Sequence, residues 1–283
     1  MLTFIHKDDI MNPDFGYKHI TGLLWLLPLI AVVIAVLLII KKKYKFDEKF
    51  DRAVIRYAFY FIFIWEIIKT VRIVNYPDYG PVGHYPLWMA PFHICSMSFY
   101  VYPIIGSKHP GKLAEWVTPF GYSVLMIVTS IILAMPGSAA LLGETPNWSF
   151  CFDNILPYQT WLFHGTLLFV SFYMALSGFY KPKWSDIYKA ITVLCVLAAC
   201  ATVLNFTLEG SGADYMTLRY GNGNPFAFLL QGENPTLYYI VLSAISFSAS
   251  ALVIAATIGI RALVDKLNNK KADLEVKEAE VIA

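Results

Sequence analysis

The sequence predicts an all-α fold: a polytopic membrane protein with seven transmembrane helices, its N-terminus outside the cell and its C-terminus in the cytoplasm. Of the 283 residues, 57% are hydrophobic and only 15% are charged, whereas an average soluble domain is about 25% charged. Seven apolar stretches are each long enough to cross a bilayer, which requires about 20 residues. Basic residues are concentrated in alternate connections between these stretches, which predicts the orientation.

The predicted spans account for most of the chain, and several contain Gly or Pro, which membrane helices tolerate. They cover approximately residues 21–40, 54–75, 86–106, 113–135, 155–179, 185–208 and 236–260. No separate soluble domain or internal repeat is visible. We therefore expect one membrane domain over residues 1–283, in which 261–283 form a short cytoplasmic tail, either helical or frayed.

The distribution of Lys and Arg predicts which connections face the cytoplasm. Four segments are rich in these residues: 41–52 with six, 106–112 with two, 181–183 with two and the tail from Arg261 with five. The other three connections, residues 76–85, 136–154 and 209–235, contain one basic residue in total, Arg219. Because the positive-inside rule places the basic segments in the cytoplasm, the N-terminus is expected outside. The cluster "KKKYK" follows the first span instead of preceding it, so we expect a retained helix and not a cleaved signal peptide.

The four cysteines do not have a spacing that suggests a disulfide framework. Cys95, Cys195 and Cys200 fall within predicted spans, and Cys151 lies in an outer connection. For Cys195 and Cys200 we expect ordinary small core residues.

Polar and ionisable side chains inside the spans are the strongest indication of function. An ionisable residue at the bilayer centre costs ~2.5–3.5 kcal/mol on insertion scales, so such residues usually face the protein interior. They are Glu66, Lys69 and Arg72 in the second span, His93 and Cys95 in the third, His164 in the fifth and Asn205 in the sixth. Cys95 and His164 each lie nine residues after the outer start of their span, which predicts a depth of about 13–14 Å for both. We expect these groups to converge on one layer in the outer half of the membrane.

The second span carries charged residues three apart, which places Glu66, Lys69 and Arg72 near one another on one helix face. One interpretation is an ion pair between Glu66 and Lys69, with Arg72 extending to the lipid headgroups. The other is a cationic wall for an anionic headgroup, since Arg binds phosphate in a bidentate way. The two interpretations are compatible.

His93 and Cys95 are not expected to form a catalytic pair with each other. Residues two apart on a helix point about 200° apart, unless the helix unwinds near Pro91. A thiol needs a base, because the thiolate is the nucleophile. His164, at matching depth on another helix, is the expected partner.

Packing or metal binding could also account for these residues. Cys95 and His93 could be packed core side chains, and His93, Cys95 and His164 have the ligand types of a zinc site, although their spacing matches no standard zinc motif. A retinal protein would need a Lys inside a span. The only Lys well inside one is Lys69, beside Glu66 and Arg72, which argues against a rhodopsin.

Two segments resemble a known family. "APFHICSMSFYVYPI" (residues 90–104) resembles the "LPLHLCS"-type helix of the YwaF-like bacterial integral membrane proteins, which are related to human transmembrane protein 164. "ADYMTLRYGNGNPFAFLLQGENPTLYYIVL" (213–242) resembles the family segment that leads into the last span. The resemblance covers most of the chain from the second span onward, and the seven-span layout agrees with it.

The resemblance implies a phospholipid acyltransferase of the cell membrane, in this case the bacterial plasma membrane. Cys95 would be the nucleophile and His164 its base, with phospholipid and lysophospholipid as substrates and no cofactor, metal or nucleic acid. His93 or Asn205 could donate to the oxyanion. Asp214 stands where the family has Asn, and "EGSGAD" (209–214) is an altered connection, so Asp214, Tyr215 and Arg219 are candidates for the substrate entrance.

Two alternative functions use the same residues. In a lipid esterase, water would accept the acyl group from Cys95. In a transporter for a small polar solute, the charged face of the second span would line a pathway. A transporter should show inverted repeats or paired broken helices, which the sequence lacks, and the inner half of the spans is expected to be apolar.

Overall fold

The structure is a computed structural model that describes residues 13–75, 81–134, 155–220, 229–230 and 235–282, with side chains described within 23–75, 81–134, 158–220, 229–230 and 236–269. The predicted all-α fold class is confirmed in these residues. In chain order they form seven α-helices: α1 (Pro13–Tyr44), α2 (Glu48–Asn75), α3 (Ser98–Ile105), α4 (Lys112–Ala134), α5 (Ile155–Leu176), α6 (Asp186–Thr207) and α7 (Pro235–Ile282).

Four helices in the described part of the chain are long and apolar enough to cross a membrane, which makes the chain a membrane protein. Their candidate spans are Leu23–Tyr44, Lys112–Ala134, Asp186–Thr207 and Thr236–Asn269. In α2 and α5, charged or polar side chains interrupt the apolar run, and the apolar helix Cys95–Ile105 is short. Seven spans and the orientation of the two termini therefore stay predictions.

The prediction of one continuous helix over residues 86–106 was wrong. Two 3-10 turns, Leu87–Met89 and Cys95–Met97, precede α3, which has only eight residues. Between the turns the backbone is extended at Ala90, with φ −61° and ψ 149°. The physical reason is Pro91, which lacks an N–H donor and disfavours helical dihedrals in the residue before it.

A buried carboxylate joins three helices at the end of the bundle where α1 finishes, here called the Lys41 end. Asp51, on α2, is only 1% exposed. It accepts hydrogen bonds from Lys41 Nζ at 2.6 Å and from Tyr173 Oη at 2.7 Å, and Lys41 also donates to the Ser177 carbonyl at 2.9 Å. These bonds link α1 and α2 to the end of α5. Because one partner of Asp51 is an ammonium group, its burial does not leave an unpaired charge.

Helix α4 lies at the centre of the bundle, where it packs against α3, α5, α6 and α7. Phe120 is fully buried on it. Two hydroxyl pairs join α4 to α7, Tyr122 with Thr257 at 2.6 Å and Ser123 with Ser250 at 2.7 Å. The interior toward the Lys41 end is therefore less apolar than expected, but its hydroxyl groups satisfy one another, as is typical of helix contacts in membranes.

The structure selects one of the two alternatives for the tail and overturns the expectation for two cysteines. Helix α7 continues to Ile282, so the tail described here is a helical extension of the last span. Cys195 and Cys200 are exposed on α6 and are not core residues. An apolar run could not distinguish these possibilities, because a lipid-facing surface is as apolar as a protein core. Cys151 lies outside the described residues.

Candidate functional site

The break before α3 places Cys95 at the start of a helix instead of in the middle of one. The 3-10 turn Cys95–Met97 runs directly into α3, so Cys95 is the first residue of an eleven-residue helical segment, Cys95–Ile105. The first N–H groups of a helix have no intrahelical acceptor. The backbone N–H groups of Cys95 and Ser96 are the first two of this segment. The 200° angle expected between His93 and Cys95 does not apply, because the segment is not α-helical.

His164 is held deep in the bundle with one ring nitrogen free. It is 5% exposed, on α5, nine residues after the helix begins. Its Nδ1 lies 2.8 Å from the Thr160 carbonyl oxygen. A carbonyl can only accept, so this contact makes Nδ1 the protonated nitrogen of the neutral ring and leaves the lone pair on Nε2. Nε2 is buried and has no hydrogen-bond partner among the described residues, so Cys95 does not hydrogen-bond to it in this structure.

Lys69 lies within electrostatic range of both candidate catalytic residues. Its ammonium interacts electrostatically with Cys95, His93 and His164. It also forms an ion pair with Glu66, with Nζ and Oε1 2.5 Å apart and the two side chains 18% and 13% exposed. The expected ion pair on α2 is therefore present, and it faces the site rather than lipid. A Lys and its carboxylate beside a thiol and an imidazole form a polar group inside an apolar bundle.

Arg72 does not extend to the headgroups as one interpretation expected, because it is only 4% exposed. It lies one turn beyond Lys69 on α2, close to the end of that helix at Asn75. The bundle end where α2 and α6 finish and α5 begins is called the Asn75 end below. Arg72 thus adds positive charge inside the protein at this end.

His93 and Asn205, the two expected oxyanion donors, both have other partners. His93 Nε2 lies 3.2 Å from the Trp88 carbonyl, so its donor is used within its own segment when the ring is neutral. Asn205 is 1% exposed on α6. Its side-chain amide donates to the Tyr215 carbonyl at 3.0 Å and accepts from the Tyr215 N–H at 2.7 Å. Asn205 therefore anchors the connection after α6 rather than offering its amide to a substrate.

Asp214 and Arg219 stabilise the same connection. The Asp214 carboxylate accepts from the Arg219 N–H at 2.7 Å, and Arg219 Nη1 donates to the Asn205 carbonyl at 2.8 Å. The Arg219 guanidinium also forms an ion pair with Glu209. Asp214 interacts electrostatically with His93. Asn205 and Asp214 are buried, so in this structure these side chains cross-link the connection itself.

That turn is strained. Met216 and Thr217 have φ values of 56° and 58°, in the left-handed region that β-branched and bulky residues rarely adopt. Backbone strain of this kind costs on the order of 1–3 kcal/mol per residue and persists only where the surroundings hold it. Here Asn205, Arg219 and the buried Tyr215 provide that support.

Three further residues belong to the site and were not recognised in the sequence. Gln159 on α5 lies 3.5 Å from the Glu66 carboxylate, and Glu66 interacts electrostatically with Tyr85 and Tyr100. Burial, with a smaller contribution from Glu66, raises the pKa of Tyr85 above its usual value, so this hydroxyl stays protonated and donates to the Met89 carbonyl at 2.8 Å. Gln159 is a polar residue five positions before His164 and could have been found by that signal. The tyrosines could not, because they are common at membrane interfaces.

The three candidate zinc ligands do not form a metal site. Within the part of the chain that the structure describes, no three His, Cys, Asp or Glu side chains are grouped closely enough to hold a metal ion. One nitrogen each of His93 and His164 is occupied by a backbone carbonyl.

Comparison with known proteins agrees with a membrane protein of this kind. The family model described as TMEM164 family matches residues 15–255. The chain belongs to the TMEM164 family. This match contains every candidate site residue from Glu66 to Arg219. No curated protein and no solved structure matches the chain.

Proposed function

We propose that this TMEM164 family member is a membrane acyltransferase that moves a fatty acyl chain between phospholipids through a thioester on Cys95. The observation that carries the proposal is the buried Nε2 of His164, held as a lone-pair nitrogen by the Thr160 carbonyl and without a partner among the described residues. The Ser98 and Thr129 hydroxyls are also buried without a hydrogen-bond partner among the described residues, but neither can act as a base, and a buried polar atom without a partner calls for a physical reason. A general base that waits for its proton donor supplies such a reason.

The first half-reaction forms the thioester. His164 Nε2 takes the Cys95 proton, and the thiolate attacks the ester carbonyl carbon of a phospholipid. A tetrahedral oxyanion forms and collapses, breaking the bond to the glycerol oxygen, which takes the proton from His164. The products are the Cys95 thioester and a lysophospholipid. In the second half-reaction His164 deprotonates the hydroxyl of another lysophospholipid, which attacks the thioester and releases the Cys95 thiol.

Proton transfer requires the thiol and the imidazole to approach more closely than they do in this structure. Catalytic hydrogen bonds are often long without substrate and shorten in the reactive complex. Cys95 follows an irregular segment rather than a full helical turn, so small changes of backbone dihedrals there would move the thiol.

The oxyanion would be stabilised by the start of the helical segment. The N–H groups of Cys95 and Ser96 are the first two of the segment that carries the thiol, so they are the donors nearest in the chain to the carbonyl oxygen of an ester attacked by Cys95. Two preorganised donors of this kind are the usual oxyanion arrangement. These backbone groups take the role that the sequence suggested for His93 or Asn205, because the donors of those two side chains are used elsewhere.

Lys69 and Arg72 would bind the phosphate of the lipid. Both are cationic and lie one helical turn apart on α2 at the Asn75 end. Arg presents two parallel donors to a phosphate, and Lys acts as a point charge. Glu66 would orient Lys69 in the absence of lipid. The ester of a phospholipid lies just below its phosphate, so these cations would place the ester near Cys95.

Hydrolysis is the closest alternative and shares the first half-reaction. The two functions differ only in whether water or a lysophospholipid reaches the thioester. We further propose that the protein works in the bacterial plasma membrane as a YwaF-like member of its family.

The test is intact mass spectrometry of the purified protein in bilayers that supply an acyl-donor phospholipid but no acceptor. We expect an added acyl mass that hydroxylamine removes, present in wild type and in the Cys200→Ala variant and missing in Cys95→Ala. If wild type carries no adduct, covalent catalysis at Cys95 is wrong. Once the adduct has formed, incubation with or without lysophospholipid separates transfer from hydrolysis by the product released.

A further inference from the structure

The segment that carries Cys95 has few backbone hydrogen bonds to fix its shape. Between the 3-10 turn Leu87–Met89 and α3, the chain passes through the extended residue Ala90. Among the described residues, the backbone bonds after that turn are those from Phe92 to the Ala90 carbonyl, from Met97 to the Ile94 carbonyl and from Ser98, the first residue of α3, to the Cys95 and Ser96 carbonyls. A regular helix would supply one bond for each residue. The position of the thiol therefore depends on side chains that pack against the segment from elsewhere.

Tyr215 is a side chain from another part of the chain that binds this segment at three points. Its hydroxyl donates to the Leu87 carbonyl. Its ring lies edge-on to Phe92, with centroids 5.2 Å apart, and to His93, with centroids 5.7 Å apart. Tyr215 is fully buried. It thus contacts both the beginning of the segment and the residues just before the thiol.

Tyr215 is itself fixed more firmly than a loop residue usually is. Its N–H and its carbonyl are both bonded to the side chain of Asn205 on α6. The two residues after it, Met216 and Thr217, adopt left-handed backbone conformations that are unfavourable for their side-chain types. Strain that the surrounding structure maintains in this way is common where a geometry must be preorganised.

We infer that Tyr215 is a positioning residue: anchored by Asn205, it holds the Leu87–Cys95 segment so that the thiol can reach His164. This inference rests on the proposed function, in which Cys95 must approach Nε2 of His164. It assigns Tyr215 a role through the protein backbone and not a contact with the lipid headgroup.

The substitution Tyr215→Phe tests the inference, because it removes only the hydroxyl bond to Leu87 and keeps the ring against His93. Tyr239→Phe is the control, since its hydroxyl donates to the Leu218 carbonyl at 2.8 Å, in the same connection, and not to the Leu87–Cys95 segment. We expect Tyr215→Phe to lower the maximal rate of acyl-adduct formation on Cys95 about fivefold, the effect of one net hydrogen bond. The phospholipid concentration for half-maximal rate and the melting temperature should match those of Tyr239→Phe.

A second readout keeps the inference testable if the proposed acylation fails. The parent for this readout is a variant whose only cysteine is Cys95. Adding Tyr215→Phe should raise the rate at which a small maleimide alkylates the thiol by about threefold or more, because the segment is less constrained. Adding Tyr239→Phe should leave that rate at the parent value. No wild-type acyl adduct would overturn the proposed function but leave this comparison intact. Equal alkylation of the two variants, or an effect on half-maximal phospholipid concentration alone, would overturn the positioning role.

Discussion

Replacing His164 by Asn removes the proposed base while keeping the contact that orients it. An Asn amide can donate to the Thr160 carbonyl as Nδ1 does at 2.8 Å, but it has no group at the position of Nε2. Since one hydrogen bond contributes about 1 kcal/mol net to stability, retaining it should keep the variant folded. His164→Ala loses that bond and leaves a cavity at a site that is 5% exposed, so it should be less stable than His164→Asn.

The expected effect on catalysis is much larger than the effect on stability. A positioned general base contributes typically ~10²–10⁴-fold to a rate, equivalent to about 3–5 kcal/mol. The assay is the initial rate of hydroxylamine-sensitive acyl adduct on Cys95, supported by labelling with a thiolate-selective probe. His109→Asn, which changes an exposed histidine in the connection before α4, is the control. An adduct rate for His164→Asn within twofold of the control would show that His164 is not the base.

Three other predictions concern helix packing, headgroup binding and orientation. Gly106→Ala would place a Cβ 2.9 Å from a backbone nitrogen of α2. We expect this overpacking to destabilise the protein by about 1–3 kcal/mol, measured as a lower melting temperature. Gly111→Ala, with open space around it, should not change the melting temperature. Lys69→Met should weaken phospholipid binding about tenfold because it removes a charged hydrogen-bond donor, whereas Lys69→Arg keeps the charge and should weaken binding much less. If neither variant changes phospholipid binding, the ion pair on α2 is purely structural. Finally, in a variant without the four native cysteines, a membrane-impermeant thiol reagent added to intact cells should label Val82→Cys but not Lys108→Cys, and the reverse pattern would invert the predicted topology.

Much of the site could be predicted from the sequence because helical periodicity and burial cost are local properties. The start of α5 at residue 155 was predicted, so His164 lies nine residues into that helix as expected; the equal depth expected for Cys95 assumed a continuous helix from residue 86, which the structure does not have. The neighbouring positions of Glu66 and Lys69 follow from their spacing of three on a helix, and the structure forms that ion pair. The membrane character follows from composition alone.

Other features depended on contacts between distant parts of the chain. Pro91 was noted as a possible break, yet only the folded chain shows that Cys95 begins a helical segment, because the extended turn before it is held by Tyr215 from more than a hundred residues later. The side chain of Asn205 was expected to face a substrate, and its actual partner is a backbone that packs there only after folding.

Sequence by itself determined that this chain is a helical membrane protein with titratable groups buried among its helices, because apolar length and the cost of burying charge do not depend on partners. Tertiary structure alone decided which groups face one another. In the folded chain Cys195 and Cys200 are exposed and Arg72 is buried. Nε2 of His164 is buried without a hydrogen-bond partner among the described residues. Lipid and protein interior are equally apolar, so an amphipathic pattern cannot indicate which side of a helix faces the bundle.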